Sequence, residues 1–413
     1  MFKTYPAIRI GSIACLMLPQ ISACSEKDPL DGLTLVSSDP SAIPLTGLDG
    51  ELLDRFNEGD ALFEVVFRDA DGLGPTYVRP ACGSCHADDA RGPGVVQKMV
   101  VIDPDGITPA EDQSRLEWGT GVRPQVAGGA TAPIRPPDDL TDILVTIRMP
   151  PAVYGRGYME AVMDSEIERV AAKQAETNDG ISGEINRVPW TSNRNPDQDF
   201  HDYRCGDEGL IGRFGLKANM AMLDDFTADA YQNDMSITSP MRPEELGNPD
   251  GLTDDYLEGH DIDIDTVNLT ADYVRLLEIP ARTETAGDGP DLFEEIGCAS
   301  CHVPSMRTSP DYPIDLLADI DAPIFTDMLL HDMGDAAADG IEQYDAGSTE
   351  WRTPPLMGLR FLRNLMHDGR AKTVREAIEA HAGPGSEANS TIDNFETLSD
   401  DEKTALIAYV ESL

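Results

Sequence analysis

The sequence predicts a mainly α chain, organised as two parts around a loop-rich middle. Three observations predict it. Alternating runs of β-branched residues, the mark of half-buried strands, are scarce. Apolar residues instead recur at helical spacing in several separate stretches. A short pattern also occurs twice. Gly59-Asp60-Ala61-Leu62-Phe63 precedes Cys82-Gly83-Ser84-Cys85-His86, and Gly289-Pro290-Asp291-Leu292-Phe293 precedes Cys298-Ala299-Ser300-Cys301-His302.

Residues 1–23 are expected to lie outside the fold. Lys3 and Arg9 are followed by a mostly apolar run from Ile8 to Leu18, and Ile21-Ser22-Ala23 places small residues before Cys24, the pattern of a secretory leader. Ile21–Cys24 resembles a bacterial lipobox, which implies cleavage before Cys24 and lipidation of its thiol. The expected location is therefore the cell envelope, periplasmic or anchored at the outer membrane. The apolar run is short for a bilayer span, and no later stretch is long and apolar enough, so membrane contact is expected through the lipid anchor alone. Residues 24–47, rich in Ser, Pro, Asp and Gly, read as a tether.

Residues 48–268 are expected to form the first part. A helix begins with Leu48, Leu52 and Phe56, and Gly72-Leu73-Gly74-Pro75 lies in an insertion before the first Cys-x-x-Cys-His. Residues 103–150, rich in Pro and Gly, read as loop. Helices are expected over Ala161–Ala175 and Phe214–Tyr231, with polar, irregular chain over 178–208. The second part, 269–413, opens with a helix over Leu269–Ile279 that Pro280 stops. Thr373 can cap a helix whose Val374, Ala377, Ile378 and His381 share a face. Ser399 and Glu402 form a capping box for a last helix with Leu406, Ile407, Val410 and Leu413 on one side.

With 75 acidic residues against 31 basic ones, the formal charge is −44. Such a surface repels nucleic acid and anionic headgroups and favours cations or basic proteins. Of the seven cysteines, Cys15 and Cys24 lie in the leader, four sit in the two Cys-x-x-Cys-His motifs, and only Cys205 is left over. No disulfide within one mature chain is expected.

Each position of Cys-x-x-Cys-His has a task. Cys82 with Cys85, and Cys298 with Cys301, can form thioethers to the two vinyl groups of one haem, and His86 or His302 then meets the iron as axial ligand. A redox dithiol does not need the His, and zinc would require the two distant motifs to converge. Two covalently bound haem c groups are the expected cofactors. The sixth position decides what each iron does. His331 and the segment Met366-His367-Asp368-Gly369 follow the second motif, whereas no His follows the first within 100 residues. Met99, the nearest alternative there, reads as core. The first haem is therefore expected to be the one that binds substrate.

The chain resembles the dihaem oxidoreductases of the bacterial cytochrome c peroxidase superfamily, in the thiol oxidoreductase-like branch. The resemblance rests on both haem motifs, Arg91-Gly92-Pro93, Gly212–Ala218, Asp234–Thr238, Asp327–Gly334, Trp351-Arg352-Thr353-Pro354-Pro355-Leu356 and His367-Asp368-Gly369-Arg370-Ala371. It implies two cytochrome c-like haem domains, electrons entering at the second haem, and H2O2 reduced at the first. The implied donor is a small cytochrome or copper protein. Met366 looks placed as the distal ligand of the second haem, with His331 the alternative. The sequence departs from the classical peroxidases in lacking a His soon after the first motif. That favours a permanently open first haem and is similar to relatives that oxidise a partner protein through high-valent haem iron. A non-catalytic envelope electron carrier is the other reading. The distal acid is not placed; Glu117, Glu244 and Glu245 are candidates. Trp118 and Trp351 read as packing residues or electron relays, and Arg352 and Arg370 as propionate partners or surface ion pairs. Relatives hold a Ca2+ between the domains, for which Asp261, Asp263 and Asp265 offer oxygen ligands, although the run lacks the glycine and distal glutamate of a calcium loop.

Overall fold

Gly59 sits where helix α1 (Gly50–Phe63) meets helix α5 (Ile264–Leu276), and a side chain there would place its Cβ 2.2 Å from the Leu269 carbonyl oxygen. The missing side chain lets the two helices touch. Tyr273 of α5 then packs between Phe56 and Phe63, with ring centres 5.1 and 5.2 Å away. Near the other end of the chain, Gly289 opens α6 (Gly289–Glu295), and its added Cβ would lie 2.6 Å from Tyr409 Cβ on α9 (Asp400–Ser412). Phe293 meets Tyr409 edge-on at 5.6 Å. The sequence repeat is thus a packing repeat, in which a glycine-bearing helix docks closely on a partner helix and presents a Phe.

The computed structural model describes residues 41–90, 94–138, 141–177, 180–197, 209–253, 259–285 and 287–413. The leader, Cys24, Arg91-Gly92-Pro93, His201 and Cys205 lie outside them. The architecture is helix and loop with short two-stranded ribbons and no larger sheet among the described residues. Between α1 and α5 run α2 (Arg156–Ala161), α3 (Asp164–Thr177) and α4 (Leu223–Met235); α7 (Val374–Glu379) and α8 (Asn389–Thr397) precede α9. No described helix is long and apolar enough to cross a membrane.

Three expectations change. Residues 103–150 are not all loop, because Ile143–Arg148 pairs antiparallel with Val96–Val101, Val96 opposite Arg148. The β-branched content of Ile143-Leu144-Val145-Thr146-Ile147 suits a strand, and the surrounding Pro and Gly hid it. The helix expected over Phe214–Tyr231 begins only at Leu223, since Phe214 and Met220 bridge across a turn. Finally, α5 crosses the boundary placed between residues 268 and 269. The described residues lie in one compact unit, Thr34–Leu413, and its largest core joins Phe56 and Tyr273 to Leu317, Met328 and Met357.

The two helix caps read from sequence are present. Thr373 Oγ1 accepts from the Glu376 N–H, and Ser399 with Glu402 forms the capping box of α9. The acidic run near α5 is spent locally. Asp263 accepts from the Thr266 N–H as the N-cap of α5, and Asp261 accepts from the backbone and hydroxyl of Thr238 at 2.7 and 2.6 Å. Two of the three proposed calcium ligands therefore already hold the backbone in place.

Candidate metal centres

Each Cys-x-x-Cys-His folds as one tight turn. The His86 N–H donates to the Cys82 carbonyl and the His302 N–H to the Cys298 carbonyl, both at 3.0 Å. This i to i+4 bond brings both sulfurs and the imidazole of a motif to one side. A second bond orients each ring. His86 Nδ1 lies 2.8 Å from the Pro151 carbonyl and His302 Nδ1 3.3 Å from that of Phe325. A carbonyl accepts only, so Nδ1 carries the proton and Nε2 keeps its lone pair. Burial lowers the pKa of both imidazoles to about 4, which keeps them neutral and able to ligate.

The motifs line two different cavities. The first, ≈580 Å³, is walled by Cys82, Cys85, His86 and Phe63, and the second, ≈200 Å³, by Cys298, Cys301, His302 and Phe293. The repeated Phe thus lines the cavity in both copies. Zinc shared between the motifs is excluded by this separation. Burial pushes the Cys82 and Cys298 thiols up to about 12 and Cys85 to about 11, unlike the lowered thiols of redox dithiols. Leu216 and Arg352 line both cavities and form a shared wall. Arg352 is 4% exposed and donates to the Gly215 and Thr353 carbonyls. Arg370, by contrast, is in a surface ion pair with Asp368.

The second cavity is predominantly apolar and is lined by Met366, His367 and His381 as well as His302. Val374, Ala377, Ile378 and His381 all line it as the expected shared face, although α7 ends at Glu379 and His381 lies just beyond it. His331 also lines it, with both ring nitrogens hydrogen-bonded. Nε2 is 2.9 Å from Asp327 and Nδ1 2.8 Å from Glu387. Burial would lower its pKa, but Asp327, the Cys301 sulfur 3.8 Å from Nδ1 and Glu387 raise it well above the usual value. The sequence showed a His in the right region; the two acids that claim it, 4 and 56 positions away, were not legible as partners.

Trp351 lies opposite His331 in the ribbon of Glu350–Arg352 and Leu330–Asp332. It lines the second cavity, stacks on His367 at 3.8 Å and 11°, and donates from Nε1 to the Ala337 carbonyl. Trp118 lines neither cavity and packs with Leu116 and Val122 in the small core that also holds Met99. Met99 is core, as its sequence context suggested.

None of Glu117, Glu244 and Glu245 lines the first cavity; Asp229, Asp234 and Glu342 do. Burial raises the Asp234 pKa to about 6 in spite of nearby Lys98. Glu342 lies 256 positions beyond His86 in the chain, and no local motif marked it. Among the described residues His86 is the one histidine lining this cavity, while Met149, Met220 and Met235 line it as well.

Two cavities, each opening on a ligand-competent His and a pair of cysteines, define a protein built to hold two redox groups close together. The chain belongs to the family described as "Di-haem oxidoreductase, putative peroxidase", whose profile matches residues 138–413. The match includes the second motif and begins after the first. Among solved structures, a chain of hydrazine synthase from Kuenenia stuttgartiensis, determined under xenon pressure, aligns with a TM-score of 0.38 and 14% identity. The alignment covers 98% of this chain and 100% of that one, and at this score it carries no argument. A comparison with curated protein sequences found no match. The donor sets fit the family's cofactor, since each cavity places a neutral imidazole beside its pair of cysteines.

Proposed function

We propose that this is an exported c-type dihaem oxidoreductase that reduces H2O2 at the first centre with electrons relayed through the second. Haem would be held covalently by Cys82 and Cys85 with His86 as ligand, and by Cys298 and Cys301 with His302. The observation that carries the reading is the pair of motif-lined cavities sharing the Leu216–Arg352 wall. Bound haem supplies redox-active iron at each site. The chain supplies the rest.

The first cavity is the larger and, among the described residues, presents no second imidazole, which supports it as the substrate side. Reducing one H2O2 to two waters consumes two electrons and two protons. Asp234, with a pKa near 6, can hold and release a proton at neutral pH; Asp229 and Glu342 share the cavity. Arg352 presents a fixed cation where the cavities meet and suits a propionate. Trp351 lies on the second side of that wall, next to Arg352 in sequence, so it rather than Trp118 supports a relay role. The acidic chain favours a basic donor face, as on a small cytochrome or copper protein. The leader and Cys24 support export and a lipid anchor.

The test is the ferric protein's EPR spectrum before and after peroxide. One high-spin signal that peroxide and cyanide abolish supports the peroxidase. Two low-spin signals inert to both would favour the electron carrier, with a methionine such as Met149, Met220 or Met235 closing the first site.

A further inference from the structure

The second cavity contains two imidazoles that look alike chemically. His302 and His381 have ring centres 6.4 Å apart, with planes inclined at 63°. Two imidazoles bound to one metal at about 2.0 Å per bond place their ring centres about 6 Å apart. Each ring is held by a backbone carbonyl at Nδ1, His302 by Phe325 and His381 by Ala377, the latter at 2.6 Å. Each therefore keeps the Nε2 lone pair. His381 stands two residues beyond the end of α7, whose Thr373 cap fixes the helix start and so the position of the ring. Both rings line the cavity.

The other candidate donors sit in different surroundings. His331 has carboxylates on both nitrogens. His367 lies flat against Trp351. Met366 lines the cavity too, on a left-handed backbone with φ 66°, and its side chain packs against the apolar cluster of Phe293, Leu359 and Leu406.

Granted the haem-binding reading above, we propose that His381 is the second axial ligand of the iron held by His302, so that this centre is bis-histidine. Met366 then shapes the pocket without ligating. A bis-imidazole site has a lower reduction potential than a His–Met site, which would make the second centre a stronger reductant toward the first.

The experiment uses the full chain produced with a c-type maturation system, and intact mass confirms two haems in each variant before spectra are compared. Ferric EPR and near-infrared magnetic circular dichroism then read the ligands. The wild type is expected to show a bis-imidazole low-spin centre and no methionine–iron band. His381→Ala should convert that centre to high spin, and added imidazole should restore it. His381→Met should stay low spin, gain the methionine band and titrate at a higher potential. Met366→Leu should leave spectrum and potential unchanged. A methionine band in the wild type that Met366→Leu abolishes, or a low-spin centre untouched by His381→Ala, would overturn the assignment. A chain without haem would overturn the function proposed above, a distinct outcome.

Discussion

His331→Ala tests whether this histidine is a structural cation rather than an iron ligand. In the folded chain its ring joins Asp327, whose side chain is 0% exposed, to Glu387, which is 18% exposed. Removing one member of a buried pair typically costs about 3–5 kcal/mol, because a charge is left buried without its partner. Here Asp327 keeps donors from Gln174 at 2.8 Å and the Leu329 N–H at 3.0 Å, and Glu387 can reach solvent. The expected loss therefore sits at the low end, about 3 kcal/mol, or about 4 °C in Tm for a chain of this size. The folded-state pKa is raised, so the contribution is complete below the unfolded value near 6.5 and declines as pH rises through the folded value. Thermal unfolding of wild type and variant should thus differ most below about pH 6 and converge in alkali. The low-spin spectrum of the second centre should persist in the variant. A loss under about 1 kcal/mol, a pH-independent gap, or disappearance of that low-spin signal would rule out a structural cation at His331.

Asp234→Asn should slow the reaction with peroxide by about 10²–10⁴-fold while leaving haem content intact, measured by stopped-flow absorbance. Asp89, buried against Tyr273 and the Ala42 N–H, has its pKa raised by burial to about 6. The folded state then binds the extra proton, so stability falls as pH rises from about 4 through about 6. Asp89→Asn should flatten that slope in urea unfolding across the same window. Gly59→Ala should destabilise by about 1–3 kcal/mol, because the new methyl meets the Leu269 carbonyl on α5. Chemical denaturation reads it, and an unchanged midpoint would argue against the close helix contact.

Local signals made much of this molecule readable. Thr373, Ser399 and Glu402 announced helix starts because capping uses residues three positions apart. The paired Gly and Phe of the repeat were visible as letters, and the structure gives them a meaning as docking and cavity-lining residues. What stayed hidden depends on distant partners. Ile143–Arg148 becomes a strand only against Val96–Val101. His331 meets Glu387 across 56 positions, and Glu342 reaches the first cavity from the far half of the chain. The packing of α5, which spans residues 268 and 269 in sequence, against α1 is another contact between distant segments.

The proposed activity requires iron porphyrin at both Cys-x-x-Cys-His turns. Intact mass of the full chain, made in a host that matures c-type cytochromes, measures this most directly. Two haem increments are predicted, with Cys82→Ser/Cys85→Ser and Cys298→Ser/Cys301→Ser each removing one. A chain of unmodified mass, or one whose haem count ignores either pair of substitutions, would contradict it.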